Sequence, residues 1–165
     1  MENETRTAAE KEIQFITFTL GNEKYAVEIE KVKEVILPID TYPVPGMPVQ
    51  VRGVINLRGE IVPILEIASA LGTADSSAGG EDKSRRIIII DGEDGGVGFE
   101  VDRVIEVVKI ARSVIKSDLG NVNINREVLD GIVQEENGII LCINPERIIG
   151  SFVDVAELKK ADAPV

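Results

Sequence analysis

The sequence has no histidine, no tryptophan and a single cysteine among its 165 residues. Histidine is the usual general base near neutral pH, the commonest zinc ligand and the acceptor in histidine phosphotransfer. Its absence argues against conventional hydrolysis or phosphorelay on the protein's own side chains. We identify no catalytic residues and no metal-ligand pattern, and we expect no cofactor.

The single cysteine, Cys142, lies within the apolar run Ile139–Ile143. One cysteine cannot form an internal disulfide. In such a run, a cysteine is typical of a small buried hydrophobe rather than of a reactive thiol.

Positive charge is also scarce, with 18 Lys and Arg against 29 Asp and Glu and a formal net charge of −11. Proteins that bind a phosphate backbone need a basic face, so we do not expect a nucleic acid partner. No apolar run approaches the roughly 18 to 20 residues that span a bilayer. The start of the chain is polar and acidic, unlike a signal peptide. We therefore expect a cytoplasmic protein without direct membrane insertion.

What the chain does contain is an internal repeat. The stretch Phe15–Gly21 aligns with Arg86–Gly92 at an offset of 71, and after one inserted residue Tyr25–Ile36 aligns with Val97–Val108 at an offset of 72. The second block has four identical pairs: Glu28/Glu100, Val32/Val104, Glu34/Glu106 and Val35/Val107. Such a duplication predicts two similar modules around an approximate two-fold axis, with a cleft between them.

Short apolar runs broken by glycine and polar turns predict β-hairpins. The first joins Ile13–Leu20 to Tyr25–Ile29, where apolar and polar residues alternate. Three more are predicted: Val51–Leu57 with Glu60–Leu65, Arg86–Ile90 with Gly96–Val101, and Gly131–Gln134 with Gly138–Ile143. Strands of this length and spacing favour an all-β fold of small antiparallel barrels, each with about five strands.

Helices are a minor part of the prediction. Leu65–Leu71 is predicted to form a two-turn helix with Gly72 as its C-cap. Asn144–Ile149 before Gly150 has the order of a short helix, with an N-cap, a proline at the first helical position and a glycine stop. We expect a disordered tail over 1–11, one domain over 12–150 and a helical tail over 151–165. Within the domain, polar residues 73–84 link subdomains of about 15–72 and 85–150. Exchange of terminal segments between the subdomains stays open.

Four prolines lie within eleven residues of the first module: Pro38, Pro43, Pro45 and Pro48. Proline fixes φ and removes a donor, so this stretch is predicted to be a stiff, extended loop. A rigid loop presenting Tyr42, Val44 and Met47 is a candidate docking surface, because pre-ordering lowers the entropy cost of association. The alternative is a connector that crosses the end of a barrel.

The segment Gly53–Gly59 carries more than a turn requires. Its copy, Gly131–Gly138, keeps the glycines and has one more residue between them, but it has glutamates where the first copy has Leu57 and Arg58. Arginine is favoured at interfaces for its planar donor fork. Arg58 is therefore predicted either to pair with Glu34 or to meet an acidic partner.

These motifs resemble those of CheW-type chemotaxis coupling proteins. The resemblance covers about residues 13 to 150, and Gly53–Gly59 is its most specific part. It is carried by the following stretches: Phe15–Tyr25, Val32–Val35, Pro43–Pro45, Gly53–Ile64 and Val97–Val104.

The resemblance implies two intertwined SH3-like five-stranded β-barrels related by a pseudo-two-fold axis. It also implies a non-catalytic adaptor that couples membrane chemoreceptors to the histidine kinase in a signalling array. The implied partners are the methyl-accepting chemoreceptor's cytoplasmic tip and the regulatory domain of the kinase, which would recruit the protein to the array.

The resemblance implies two sets of binding residues in this sequence, and the second set also depends on the exposed, rigid features of the first module. The expected receptor-binding residues are Ile29, Val32, Glu34, Val35, Val101 and Val104. The expected kinase-binding residues are Val44, Pro45, Met47, Asn56, Leu57, Arg58 and Gly59.

Two other functions stay open. One is a regulatory module of the same family in another two-component pathway. The other is an acid hydrolase that uses the repeat-equivalent pair Glu34 and Glu106, whose carboxylates would have to approach within about 10 Å.

Overall fold

The computed structural model describes residues 11–47, 50–72, 83–93, 95–118, 120 and 125–152. Nearly all residues of the predicted tails and of the predicted linker lie outside these ranges. Ten strands dominate the described chain: β1 Glu12–Leu20, β2 Glu23–Glu28, β3 Val32–Ile36, β4 Val51–Leu57, β5 Glu60–Glu66, β6 Arg86–Gly92, β7 Gly95–Val101, β8 Arg103–Ala111, β9 Leu129–Glu135 and β10 Gly138–Ile143. Two short helices accompany them, α1 Ala68–Leu71 and α2 Pro145–Gly150.

The strands form two five-stranded sheets, in the orders β8-β1-β2-β10-β9 and β3-β6-β7-β5-β4. Replacing each strand by its repeat counterpart converts one order into the other. Each half of the sequence gives its first hairpin to one sheet and its last three strands to the other. Neither sheet therefore corresponds to one half of the chain, and the mainly β fold class with two five-stranded units is confirmed.

The sheets are mixed, which corrects the expectation of purely antiparallel barrels. Strand β10 runs parallel to β2, and β5 runs parallel to β7. Hairpins force neighbouring strands to be antiparallel, but these two pairs join strands from different halves and carry no such constraint.

All four predicted hairpins are present, but β3 and β8 were not predicted as strands. In β3 half-buried residues alternate with exposed ones, and no residue is fully buried. An edge strand of this kind lacks the strong buried face that sequence patterns detect.

The repeat register is simpler than the sequence alignment indicates. Leu20 pairs with Glu23 and Gly92 with Gly95, so the first hairpins have equal turns and align at one offset of 72 without an insertion.

The last hairpins also have equal turns, between Leu57 and Glu60 and between Glu135 and Gly138. The counterpart of Arg58 is therefore Glu136, and that of Gly59 is Asn137 rather than a glycine.

Both predicted helices form with small changes at their ends. Helix α1 is shorter than expected because β5 continues to Glu66, and Gly72 caps it with a φ of 79°. Asn144 caps α2 by accepting from the Arg147 amide at 3.0 Å. Gly150 is the last residue of α2 rather than its stop.

The core has one central cluster and one smaller cluster for each sheet. In β6, Ile88 and Ile90 belong to the central cluster, whereas Ile87 and Ile89 belong to the cluster of their own sheet. Both faces of the strand are thus buried. This arrangement is compatible with two barrels that each have an interior and share a larger core between them.

Each sheet is strongly curved. Tyr42, which follows edge strand β3, pairs with Val54 of the opposite edge strand β4, and Lys116 pairs with Ile132 in the same way. The close approach requires glycine. A Cβ on Gly53 would lie 2.4 Å from the Tyr42 carbonyl oxygen, and one on Gly131 would lie 2.7 Å from that of Lys116.

Candidate functional site: the Arg58 hairpin and strand β3

The tip of the β4–β5 hairpin holds Arg58 in an unusual backbone conformation. Arg58 has a φ of 51° and Gly59 a φ of 88°, the pair of positive values that type I′ turns require. The Asn56 Oδ1 accepts from the Gly59 amide at 2.9 Å and closes the turn. Among the described residues, Arg58 is the one non-glycine residue with positive φ. Such strain concentrates at functional sites.

Arg58 and Glu34 form an ion pair, which resolves one of the alternatives left by the sequence. The Arg58 Nη2 donates to Glu34 Oε2, and the arginine side chain is 68% exposed while that of Glu34 is 26% exposed. An exposed guanidinium in such a pair retains donors for a further acceptor. Pairing with Glu34 therefore leaves Arg58 accessible to a partner.

A second set of contacts fixes the hairpin next to Arg58. Glu60 Oε1 lies 3.4 Å from Lys33 Nζ, and Glu60 Oε2 accepts from the Gly96 amide at 2.9 Å. Lys33 and Glu34 belong to β3, which is one edge strand of the sheet. Glu60 begins β5, directly after the turn from β4, which is the opposite edge strand. The curvature of the sheet thus brings both ends of the candidate site together.

The predicted receptor-binding residues divide by burial. Val35 is exposed, while Ile29, Val32 and Val104 are half-buried and pack against the central core. Val101 is fully buried in that core and has no surface to offer a partner. Alternation along β7 placed it on the inner face, which the repeat alignment alone does not show.

The predicted kinase-binding loop is anchored more deeply than expected. Val44 and Met47 are half-buried and pack against the central core, so they support the loop. Pro45 and Tyr42 are exposed. Pro48 lies outside the described residues. In the hairpin, Asn56, Arg58 and Gly59 are exposed, and Leu57 is half-buried.

Sequence reasoning missed part of the exposed apolar surface. Leu37 is 62% exposed and Ile39 is 44% exposed, in the segment that follows β3. Val35, near the end of β3, and Tyr42, further along the same segment, are also exposed. On β8, Ile105 and Val107 are also exposed. Isolated exposed apolar residues are ordinary, but a contiguous set indicates an interaction surface. Apolar residues next to Pro38, within a loop already predicted to be stiff, were the available signal.

The acid hydrolase hypothesis is not favoured. Glu34 lies on β3 and is bonded to Arg58, whereas Glu106 is exposed on β8 in the other sheet. Within the described ranges, no group of three or more Asp, Glu, Cys or His side chains is arranged to hold a metal ion. No helix in that part of the chain has the length and apolar character to cross a membrane.

Comparison with known proteins identifies relatives over most of the chain. Residues 14–153 match the family model of the CheW-like domain. A chemotaxis protein CheW from Thermotoga maritima is 33% identical over 146 residues, covering 88% of this chain and 93% of that protein. The Treponema pallidum protein of the same name is 26% identical over 144 residues, covering 86% and 85%.

The fold also matches a solved structure. The scaffolding protein TtCheW from Thermoanaerobacter tengcongensis superposes with a TM-score of 0.75 at 28% identity, covering 84% of this chain and 88% of that one. With two five-stranded sheets, the Gly53–Gly59 motif and a family match that spans both repeats, this chain belongs to the family of CheW-like domain proteins.

Proposed function

We propose that this chain holds a chemoreceptor tip and the regulatory domain of a histidine kinase at the same time, and that it makes and breaks no bond itself. Its family membership makes it a non-catalytic coupling adaptor of chemotaxis. In the cell it acts in the cytoplasm, at membrane receptor arrays to which its partners recruit it.

The receptor surface in this proposal consists of the accessible members of the assigned set. They are Ile29, Val32, Glu34, Val35 and Val104. Three half-buried aliphatic side chains and the exposed Val35 offer apolar contact area, as a helical hairpin tip requires of its groove. Val101 is excluded from this surface because it is fully buried.

The kinase surface consists of the loop and the hairpin of the first module. Val44 and Met47 anchor the loop on the core and hold Pro45 outward, while residues 56–59 form the rigid hairpin tip. Anchoring of this kind lowers the entropy cost of docking.

The observation that carries the proposal is the ion pair between Glu34 and Arg58. Glu34 belongs to the receptor surface and Arg58 to the kinase surface, so one contact joins the two. The chain keeps an arginine in a left-handed position where glycine would be unstrained. A purely structural turn gives no reason for this choice.

Pull-down of the purified chain with a receptor cytoplasmic fragment and with the kinase regulatory domain tests the proposal. We expect each partner to bind alone and all three proteins to co-sediment. Folded protein that retained neither partner would contradict the proposal. Binding of a different pathway's kinase and receptor instead would support the regulatory-module alternative.

A further inference from the structure

A cavity of about 450 Å³ lies in the first sheet, β8-β1-β2-β10-β9. None of its described lining residues belongs to the proposed receptor or kinase surface, although Glu28 and Lys31 adjoin Ile29 and Val32 of the receptor surface. Its walls carry charged side chains of both signs, Glu28, Lys31, Arg112 and Asp130. Phe15 and Cys142 contribute to its apolar part. Burial raises the pKa of the Cys142 thiol to about 12, so the sulfur is a protonated, apolar part of the wall at neutral pH.

The repeat shows what occupies the equivalent place in the second sheet. At the offset of 72, Glu28 corresponds to Glu100, and Ile13, which also lines the cavity, corresponds to Arg85. The paired last hairpins make Asp130 the counterpart of Arg52.

In the second sheet, Glu100 binds two guanidinium groups. Its Oε1 lies 3.2 Å from Arg52 Nε and 2.7 Å from Arg85 Nη2. The carboxylate at this position is therefore satisfied from within the chain.

In the first sheet both arginines are replaced, by Ile13 and Asp130. No described residue forms a hydrogen bond or an ion pair with the Glu28 carboxylate. Asp130 accepts from Asn144 Nδ2 at 3.0 Å, and Lys31 Nζ bonds to Glu146 Oε1 at 2.8 Å. The Lys31 charge also acts on Glu28 and Asp130, without a hydrogen bond or ion pair to either. The cavity thus keeps the carboxylate but lacks the guanidinium groups that its counterpart holds.

Arg112 supplies a charge of the opposite sign. Arg112 lines the same cavity, and its guanidinium forms no ion pair with a residue of the described chain. Arginine recognises carboxylates through its planar fork of donors. One cavity therefore presents an acidic wall, a separate cationic group and an apolar surface.

We propose that this cavity binds a small zwitterion of the arginine type. A guanidinium or ammonium group lies against Glu28 and Asp130, a carboxylate meets Arg112, and an aliphatic stem packs on Phe15 and Ile13. Free arginine has each of these groups, and its guanidinium takes the place that Arg52 and Arg85 fill in the second sheet.

NMR titration of the isotope-labelled full chain with free L-arginine tests this site. We expect chemical-shift changes at backbone amides of the cavity walls. Citrulline has a neutral urea in place of the guanidinium, and agmatine lacks the carboxylate. Because each removes one charge-assisted contact, both are expected to bind at least about tenfold more weakly than arginine.

Variants assign the contacts. Glu28→Gln should weaken arginine binding by about tenfold or more, whereas the control Glu136→Gln, at an exposed position outside the cavity, should not. Arg112→Gln should remove the preference for arginine over agmatine. Ile13→Arg reproduces the second sheet by placing an internal guanidinium beside Glu28, and it should block arginine binding while the protein stays folded by circular dichroism.

Several results would overturn the site. These are no shifts at the cavity walls with arginine, equal binding of citrulline, or unchanged affinity in the folded Glu28→Gln variant. Equal binding of agmatine would show a site for cations alone and would refute the zwitterion. Receptor and kinase pull-downs on Arg112→Gln are expected to match the unmodified chain, because Arg112 belongs to neither partner surface. This inference and the proposed function therefore fail independently.

Discussion

At the scale of single residues, Arg58 is a residue that we expect to matter for function but not for stability. A left-handed backbone costs a non-glycine residue about 1 kcal/mol or more, and an exposed ion pair returns at most about 1 kcal/mol. The presence of arginine at position 58 therefore contributes little to the net free energy of unfolding.

Arg58→Gly should consequently keep the melting temperature within a few degrees while it weakens co-sedimentation with receptor and kinase. The positive φ suits glycine, so the loss of the ion pair is offset by relief of strain. Lys83→Ala, which removes an exposed cation elsewhere, is the control. A fall of many degrees in the melting temperature would instead make Arg58 a structural residue.

Gly53 and Gly131 are required because another segment of backbone lies too close to them for a Cβ atom. Gly53→Ala should lower the free energy of unfolding by about 2 to 4 kcal/mol, because its Cβ would meet the Tyr42 carbonyl and its φ is 138°. Gly131→Ala should also be strongly destabilising because of the Lys116 carbonyl.

Gly150→Ala is the matched control for these substitutions. Gly150 lies in α2, and a Cβ there would meet nothing within 4 Å. Alanine should raise the free energy of unfolding by about 0.5 to 1 kcal/mol through helix propensity. Chemical denaturation of the three variants measures all of these changes, and equal stability of Gly53→Ala and Gly150→Ala would refute the close approach.

At the scale of elements, an ion pair connects α2 to the turn that follows β2. Burial would raise the pKa of Glu146, but the hydrogen bond and charge of Lys31 lower it below its ordinary value of 4.5. Burial would lower the pKa of Lys31, and the bond and charge of Glu146 raise it above 10.5. The pair therefore stabilises the fold between the two ordinary pKa values, 4.5 for Glu146 and 10.5 for Lys31. This contribution fades as the pH falls through the lowered pKa of Glu146.

Glu146→Gln should lower the melting temperature slightly at pH 7, by the effect of one exposed ion pair, under about 1 kcal/mol. The difference from the unmodified chain should shrink as the pH falls below about 4.5 and Glu146 becomes protonated. Thermal unfolding at a series of pH values measures this. Glu136→Gln is the control, and a difference that grew toward acid pH would contradict the sign.

The same scale shows where sequence patterns succeed and where they stop. The hairpins follow from alternation and turn residues, which are local properties of the chain. β3 was missed because Lys31-Val-Lys-Glu34 has no continuous buried face. Both β3 and β8 are edge strands, and among the described strands each pairs with one strand from the other half of the sequence, which local patterns do not report.

The candidate site was predictable to a similar degree. The motif around Arg58 and the repeat position of Glu34 named both members of the ion pair. Whether they meet depends on the curvature of a sheet, which no spacing along the chain reports. The burial of Val101 and the anchoring of Val44 depend on the shared core and were invisible for the same reason.

At the scale of the whole molecule, the exchange of strands makes the two halves mutually dependent. Each half alone lacks the partners of its third strand, and parallel pairs β2–β10 and β5–β7 would also be lost. Separately produced halves, residues 1–78 and 79–165, are expected to be unfolded by circular dichroism.

Mixing the two halves should restore the β signal and a cooperative melt, because the complete set of strand pairs is then available. Tagging one half and recovering the other measures the association. Either half folding cooperatively by itself would show that the exchanged pairs are dispensable.

The exchange also constrains what a single copy of the repeat is able to form. A five-stranded polypeptide of this type has nowhere within itself to place its third strand, which in the present chain always lies beside the first strand of the other copy. It would complete its pairings only by trading that strand with an identical neighbour across a two-fold axis. An unduplicated ancestor built on this plan would therefore have been an obligate homodimer, and fusion of the two genes would have freed its folding from concentration.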